Sequence, residues 1–241
     1  MTIPEPPARS AVRKAGSRIR AAAAGEPVAA ETLQAASDTV DAYRAQLTLP
    51  TSKVATGLRS MCNTLRLEAE VSQRIKRKVT IVDKLTREAG LDLSRMQDIG
   101  GCRVVLQSQR DLRSLQSRIR ARWDASIHRE SDYIKEPRES GYRALHVVVR
   151  RDGYLVEIQL RDPIMHSWAE TVEAVSALTR TNYKQDGDSI VQRFMKLESV
   201  IAQDLEAGVS HPPELLDEVD TLRAQVLEYV RSAPARKGEQ P

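Results

Sequence analysis

A chain of 241 residues, 41% of them hydrophobic, is long enough for one large domain or two small ones and for a core that needs no disulfide or zinc scaffold; its two cysteines, Cys62 and Cys102, have no second cysteine or histidine at ligand spacing, which points to a reducing compartment. No run approaches the ~18 apolar residues of a membrane helix, the start MTIPEPPARS lacks the apolar stretch of a signal peptide, and aromatics at 4% are too few to stack a long single strand, so a soluble, cytoplasmic protein is expected. The net charge of +4 excludes little until it is followed along the chain.

Residues 1–30 are rich in Pro, Ala and Arg and show no sustained apolar stripe, so they read as a disordered basic tail with one frayed helix around 10–24, outside the core. In 31–70, Leu33, Val40, Tyr43 and Leu47 recur at helical spacing; Pro50-Thr51-Ser52 then marks a break and an N-cap before a second helix running to about Glu70. Residues 74–87 hold six basic side chains against Asp83 alone, a local charge of +5 and the footprint of a polyanion, although a solvated helix face carries the same pattern. Gly100 to Leu106 reads as a short buried strand, followed by a helix over 111–122, a strand near 125–129 and a polar loop over 131–141.

Tyr142 to Arg150 and Tyr154 to Arg161 flank Arg151-Asp152-Gly153, a turn that joins antiparallel strands. In the second arm Tyr154, Val156, Ile158 and Leu160 share one face, and Leu155, Glu157, Gln159 and Arg161 the other. Asp162-Pro163 supplies an N-cap and a first-position proline for a helix; further amphipathic helices are expected over 189–206 and 213–231, and no internal repeat is present. The last of these lies in an acidic stretch, 198–232, with a net charge of −6; its apolar stripe suits packing within the chain or an oligomer interface.

Two carboxylates interrupt apolar strand neighbourhoods: Asp98 before the first strand and Glu157 inside the hairpin. Such a pair can share a Mg²⁺ with substrate phosphates, although a turn cap and a solvated sheet face explain them as well. The 74–87 cluster suits a triphosphate. Tyr142 can stack a base or pair across strands, and His146, inside Ala-Leu-His-Val-Val-Val, suits a core hydrogen bond as well as a site.

Taken together and in order, RIKRKVTIVDKLTR (74–87), DIGGCRVV (98–105), DYIKEPRESGYRALH (132–146) and VEIQLRDPIMHSWAE (156–170) resemble the synthetase domain of the RelA/SpoT family over about residues 70–205. The resemblance implies an α+β, nucleotidyltransferase-like mixed sheet flanked by N- and C-terminal helices. It divides the chain into the tail (1–30), N-terminal helices (31–70), a synthetase domain (71–208), a C-terminal helix (209–232) and a disordered end (233–241). It also implies an enzyme that moves the β,γ-pyrophosphate of ATP to the ribose 3′-hydroxyl of GDP or GTP, making (p)ppGpp alarmones.

Carried over by position, Arg74 and Arg103 would sandwich adenine, and Lys76, Thr80, Lys84 and Arg87 would hold the ATP phosphates. Asp98 and Glu157 would bind Mg²⁺, with Glu157 also the base at the 3′-hydroxyl. Tyr142 would stack on guanine, with His146, Gln159, Arg161 and His166 lining the acceptor side. Gly101-Cys102, Ala144 and Asp162 depart from the commonest family residues, and His166 stands where relatives often carry Asn. No His-Asp pair precedes residue 74, so the hydrolase domain of long family members is not expected. Two alternatives stay open: a toxic relative that pyrophosphorylates the tRNA 3′ end or adenine nucleotides, with an antitoxin partner, and a catalytically silent RNA- or partner-binding module. Small members of the family are often homo-oligomers.

Overall fold

The computed structural model describes residues 6–88, 90–179, 181–183, 187–206 and 208–232; the expected disordered end, 233–241, lies outside them. The chain forms two compact units. One takes the chain up to Glu130 together with His146–Leu160, the other Ser131–Leu145 together with the chain from Arg161 onward. The expected synthetase domain, 71–208, therefore spans residues of both.

The first unit begins with three helices, α1 (Arg9–Ala23), α2 (Ala30–Gln46) and α3 (Thr48–Leu65). The expectation for 1–30 is corrected here: α1 buries Val12, Ala15 and Ile19 in a cluster with Val40 of α2 and with Ile81, Leu85 and Leu93. Its stripe at 12, 15, 16 and 19 has ordinary helical spacing, but two of its four residues are Ala15 and Gly16, so hydrophobicity alone understates it. Arg20 ties the helix down by donating to the carbonyls of Leu85 and Leu91.

A second correction concerns the end of α3. The helix stops at Leu65, with Arg66 in the left-handed region at φ 55°, and residues Ala69–Ile75 form strand β1 rather than more helix. β1 is mostly exposed and carries only Val71 and Ile75 as large apolar residues, so its pairing partner, not its own pattern, makes it a strand. That partner is β2 (Gly100–Leu106), antiparallel, in a register that places Arg74 opposite Gly101 and Ser72 opposite Arg103. Between them lies α4 (Lys78–Arg87).

After β2 come α5 (Gln109–Trp123), β3 (Ile127–Asp132), β4 (Leu145–Arg151) and β5 (Tyr154–Arg161), completing a five-stranded sheet in the order β1-β2-β5-β4-β3. β4 and β5 are joined by Asp152-Gly153, both at positive φ (49° and 84°), the backbone a two-residue hairpin requires for its twist to match the strands. Cys102 donates its thiol to the Thr51 carbonyl of α3, so alternate β2 residues Gly100, Cys102 and Val104 face the helices and Gly101 and Arg103 the other side.

Both cysteines are free and buried, and desolvation pushes the Cys102 thiol up to about 12. Iodoacetamide at pH 8 should therefore label neither thiol in the folded protein and both after denaturation, as counted by intact mass.

The second unit is built on α6 (Pro163–Thr179), α7 (Ile190–Glu206) and α8 (Pro213–Ser232) around Val172, Tyr183, Phe194, Met195, Leu222 and Val226. The apolar stripe of α8 thus packs in part within the chain. The segment from Ser131 to Leu145 is clamped to α7: Ser199 donates to the Gly141 carbonyl at 2.6 Å, and buried Arg143 pairs with Glu206 at 2.7 Å. Gly141 sits at φ 85°, and a Cβ there would come within 2.9 Å of the Lys196 backbone and 3.0 Å of the Ser199 side chain. Gly141→Ala should cost about 2–3 kcal/mol, strain and clash combined, measurable as a lower midpoint in denaturant with unchanged slope.

Candidate functional site

In the first unit the ladder between β1 and β2 continues one step past the strands, with the Lys76 amide donating to the Ile99 carbonyl at 2.7 Å. That step sets Lys76 beside Asp98. One oxygen of Asp98, Oδ2, accepts from Lys76 Nζ at 2.7 Å and from Lys84 Nζ at 3.0 Å, all three side chains being at most about a quarter exposed. Lys84 arrives from α4, where Thr80, Lys84 and Arg87 follow at spacings of four and three along one face. Burial raises the Asp98 pKa, but the two ammonium groups more than reverse this, so the carboxyl is held below its ordinary range. The other oxygen, Oδ1, is buried with no hydrogen-bond partner.

Glu157, on the polar face of β5, is held at both oxygens. His146 Nδ1 lies 3.1 Å from Oε1, and Gln159 Nε2 donates to Oε2 at 2.7 Å. Burial again raises its pKa and the His146 and Gln159 bonds lower it further than that, while the negative charge of Asp98 opposes ionisation. The net result is an ionised carboxylate that feels Asp98, so His146 donates to it from Nδ1. A histidine in an apolar strand thus has a carboxylate partner, from the same face of the neighbouring strand.

Arg74 and Arg103 occupy one face of the β1–β2 ribbon, since paired residues share a face and Gly101, opposite Arg74, lies two positions from Arg103. Gly101 leaves that face open: a Cβ there would meet only the Glu157 carbonyl, at 3.9 Å. The basic run divides. Lys76 and Lys84 meet Asp98, whereas Lys78 pairs with Asp41 of α2, and Arg87 with Asp83 at 3.0 Å on its own helix.

In the second unit Tyr142 is half-buried among cations and rings. Arg161, itself 3% exposed, donates to the Tyr142 hydroxyl at 2.9 Å and lies 5.4 Å from the ring centre. Arg138 stacks over Tyr133 at 4.5 Å and reaches the Tyr142 ring at 5.7 Å, and Trp168 lies 6.0 Å from Tyr142 on another side. Sequence reasoning missed Tyr133, Arg138 and Trp168; the signal available was a second tyrosine and an arginine in the same 131–145 segment. His166, in the first turn of α6, has Nε2 3.3 Å from Glu170.

Two ionised carboxylates, two lysines on one of them and a mixed sheet define the class: an α+β protein of the nucleotidyltransferase-like kind, with a site suited to phosphates. A family model for the region found in RelA / SpoT proteins matches residues 73–188. Over 177 residues the chain is 30% identical to GTP pyrophosphokinase YjbM of Bacillus subtilis, a match that covers 69% of this chain and 77% of that one. It belongs to the RelA/SpoT family. A GTP pyrophosphokinase of Streptomyces antibioticus is 32% identical over 125 residues, 52% of this chain but 14% of that much longer protein.

Among solved structures, a GTP pyrophosphokinase family protein from Streptococcus pneumoniae superposes with a TM-score of 0.55 at 26% identity, covering 76% of this chain and 96% of that one. The small alarmone synthetase 1 of B. subtilis bound to its product pppGpp has the same fold, with a TM-score of 0.58 at 24% identity over 75% of this chain and 96% of that one. No helix among the described residues is long and apolar enough to cross a membrane.

Proposed function

We propose that this protein is a GTP pyrophosphokinase that transfers the β,γ-pyrophosphate of ATP to the 3′-hydroxyl of GDP or GTP, making (p)ppGpp. The observation that carries the reading is the Asp98–Glu157 pair, one carboxylate charged by two lysines and the other gripped at both oxygens, in a chain of this family.

Arg74 and Arg103 clasp adenine between guanidinium planes, and Lys76 and Lys84 leave Asp98 for the phosphates as ATP arrives. Thr80 and, after giving up Asp83, Arg87 extend that contact along α4. Asp98 and Glu157 suit Mg²⁺: the orphaned Oδ1 of Asp98 and an ionised Glu157 offer two hard oxygens to an ion that takes one or two carboxylates and completes its shell with water and phosphate. Bound there, Mg²⁺ would neutralise charge on the transferred group.

The 3′-oxygen attacks the β-phosphorus, the bond from that phosphorus to the α–β bridging oxygen breaks, AMP leaves, and the hydroxyl proton passes to Glu157. His146 and Gln159 act through Glu157 by fixing the direction of its oxygens. Tyr142 stacks on guanine, Arg161 holds the tyrosine ring by its hydroxyl, and His166 contacts the acceptor.

Purified protein incubated with ATP, Mg²⁺ and GDP or GTP should yield AMP and a 3′-pyrophosphorylated guanosine nucleotide on anion exchange. Absence of that product in a folded sample overturns the reading, and label from ATP appearing on deacylated tRNA instead would move the acceptor to RNA. Tyr142→Ala should raise the acceptor KM about 10- to 100-fold with the ATP KM little changed, while Tyr142→Phe, which keeps the ring and loses the Arg161 bond, should raise it less than 10-fold.

A further inference from the structure

The first unit also contains a cavity of about 460 Å³ that includes none of the residues assigned above. Three arginines line it, Arg9 at the start of α1, Arg95 in the turn before Asp98 and Arg150 at the end of β4, together with His128; among the described residues no aspartate or glutamate lines it. Several basic side chains of this unit meet carboxylates, among them Lys76 and Lys84 at Asp98, Lys53 at Asp152, Arg44 at Asp41 and Arg120 at Glu130. Among the described residues Arg9 and Arg95 have no such partner, and Arg150 reaches only the Gly153 carbonyl, at 3.4 Å. The carboxylate that acts on Tyr43 from nearby, Asp92, is engaged by the Ser94 amide and is absent from the lining.

Uncompensated cations around a concavity raise the local concentration of anions and repel one another until one binds. The rest of the wall is of another kind. Tyr43 and Tyr154 meet with ring centres 6.0 Å apart, tilted by 47°, beside fully buried Val12 and Met96. Two tyrosine rings and apolar side chains lining the same cavity as three arginines suit a ligand with a flat ring at one end and several negative charges at the other, and the volume lies in the ~300–1,000 Å³ range of small-molecule sites. A lone phosphate would leave the tyrosines uncovered.

We propose that this cavity is a second nucleotide site, binding a nucleoside polyphosphate with its base on Tyr43 and Tyr154 and its phosphates on Arg9, Arg95 and Arg150. Equilibrium dialysis of labelled GTP and ATP against the full chain in EDTA, where no turnover occurs, tests it. For one of the two nucleotides, wild-type protein should take up one equivalent more than Arg95→Glu/Arg150→Glu, with thermal melting establishing that the variant is folded.

Tyr43→Leu should weaken that extra equivalent at least 10-fold while leaving inorganic tripolyphosphate binding within about 2-fold. Equal stoichiometry in wild type and the charge-reversed variant would overturn the site. Tripolyphosphate binding as tightly as the nucleotide would overturn its recognition of a base. Because the readout is binding without catalysis, it is independent of which transfer reaction the enzyme performs.

Discussion

Glu157→Gln should lower kcat about 10³-fold, the middle of the range for removing a positioned proton acceptor, while the KM values for ATP and acceptor move by only a few-fold. The substitution keeps the shape of the side chain and one oxygen for its two neighbours, so thermal unfolding should shift little. The charge is what disappears, and with it the proposed acceptor of the 3′-hydroxyl proton. His146→Asn and Gln159→Leu act one step away, on the direction of the carboxylate. Each should cost less than Glu157→Gln, and His146→Asn should also shift the acid limb of the pH–rate profile upward, because His146 is a leading cause of the low Glu157 pKa. A kcat within 10-fold of wild type in Glu157→Gln would remove Glu157 from the chemistry.

Asp98→Asn should lose about 10²–10³ in kcat and, unlike Glu157→Gln, should also destabilise the fold, by about 1–3 kcal/mol. Two ammonium groups now converge on one oxygen of Asp98; with the charge gone they face each other across a partly buried space. The pH dependence of stability gives a second readout. The unfolded carboxyl, with an ordinary pKa of 3.8, takes up a proton before the folded one, whose pKa is depressed. The stabilisation is therefore complete above about pH 4 and disappears as pH falls through the lower folded value. Denaturant midpoints of wild type should drop over that acidic window, and those of Asp98→Asn should drop less. Parallel curves for the two proteins would mean that Lys76 and Lys84 contribute nothing through Asp98.

The parts of the site legible in the chain were those that rest on local periodicity. Alternation along β5 put Glu157 and Gln159 on the polar face, and Asp152-Gly153 announced the hairpin. Local pattern misjudged α1, whose buried stripe is half alanine and glycine, and β1, an edge strand whose polar residues form a ladder only because β2 lies beside it. In both, a partner distant in sequence decided the outcome.

Charge shows the same division. By itself the sequence determined the family-bearing motifs, the hairpin that carries Glu157 and the concentration of positive charge in residues 74–87. Tertiary structure alone decided which carboxylate each of those charges meets: Lys76 and Lys84 converge on Asp98, while Lys78 turns to Asp41 and Arg87 to Asp83. It also brought Arg9, Arg95 and Arg150, far apart in the chain, around one cavity that no carboxylate of the described residues lines. The reason is range: periodicity of two or 3.6 residues is a property of neighbouring peptides, whereas an ion pair depends on a few ångströms between elements whose separation only the folded packing sets.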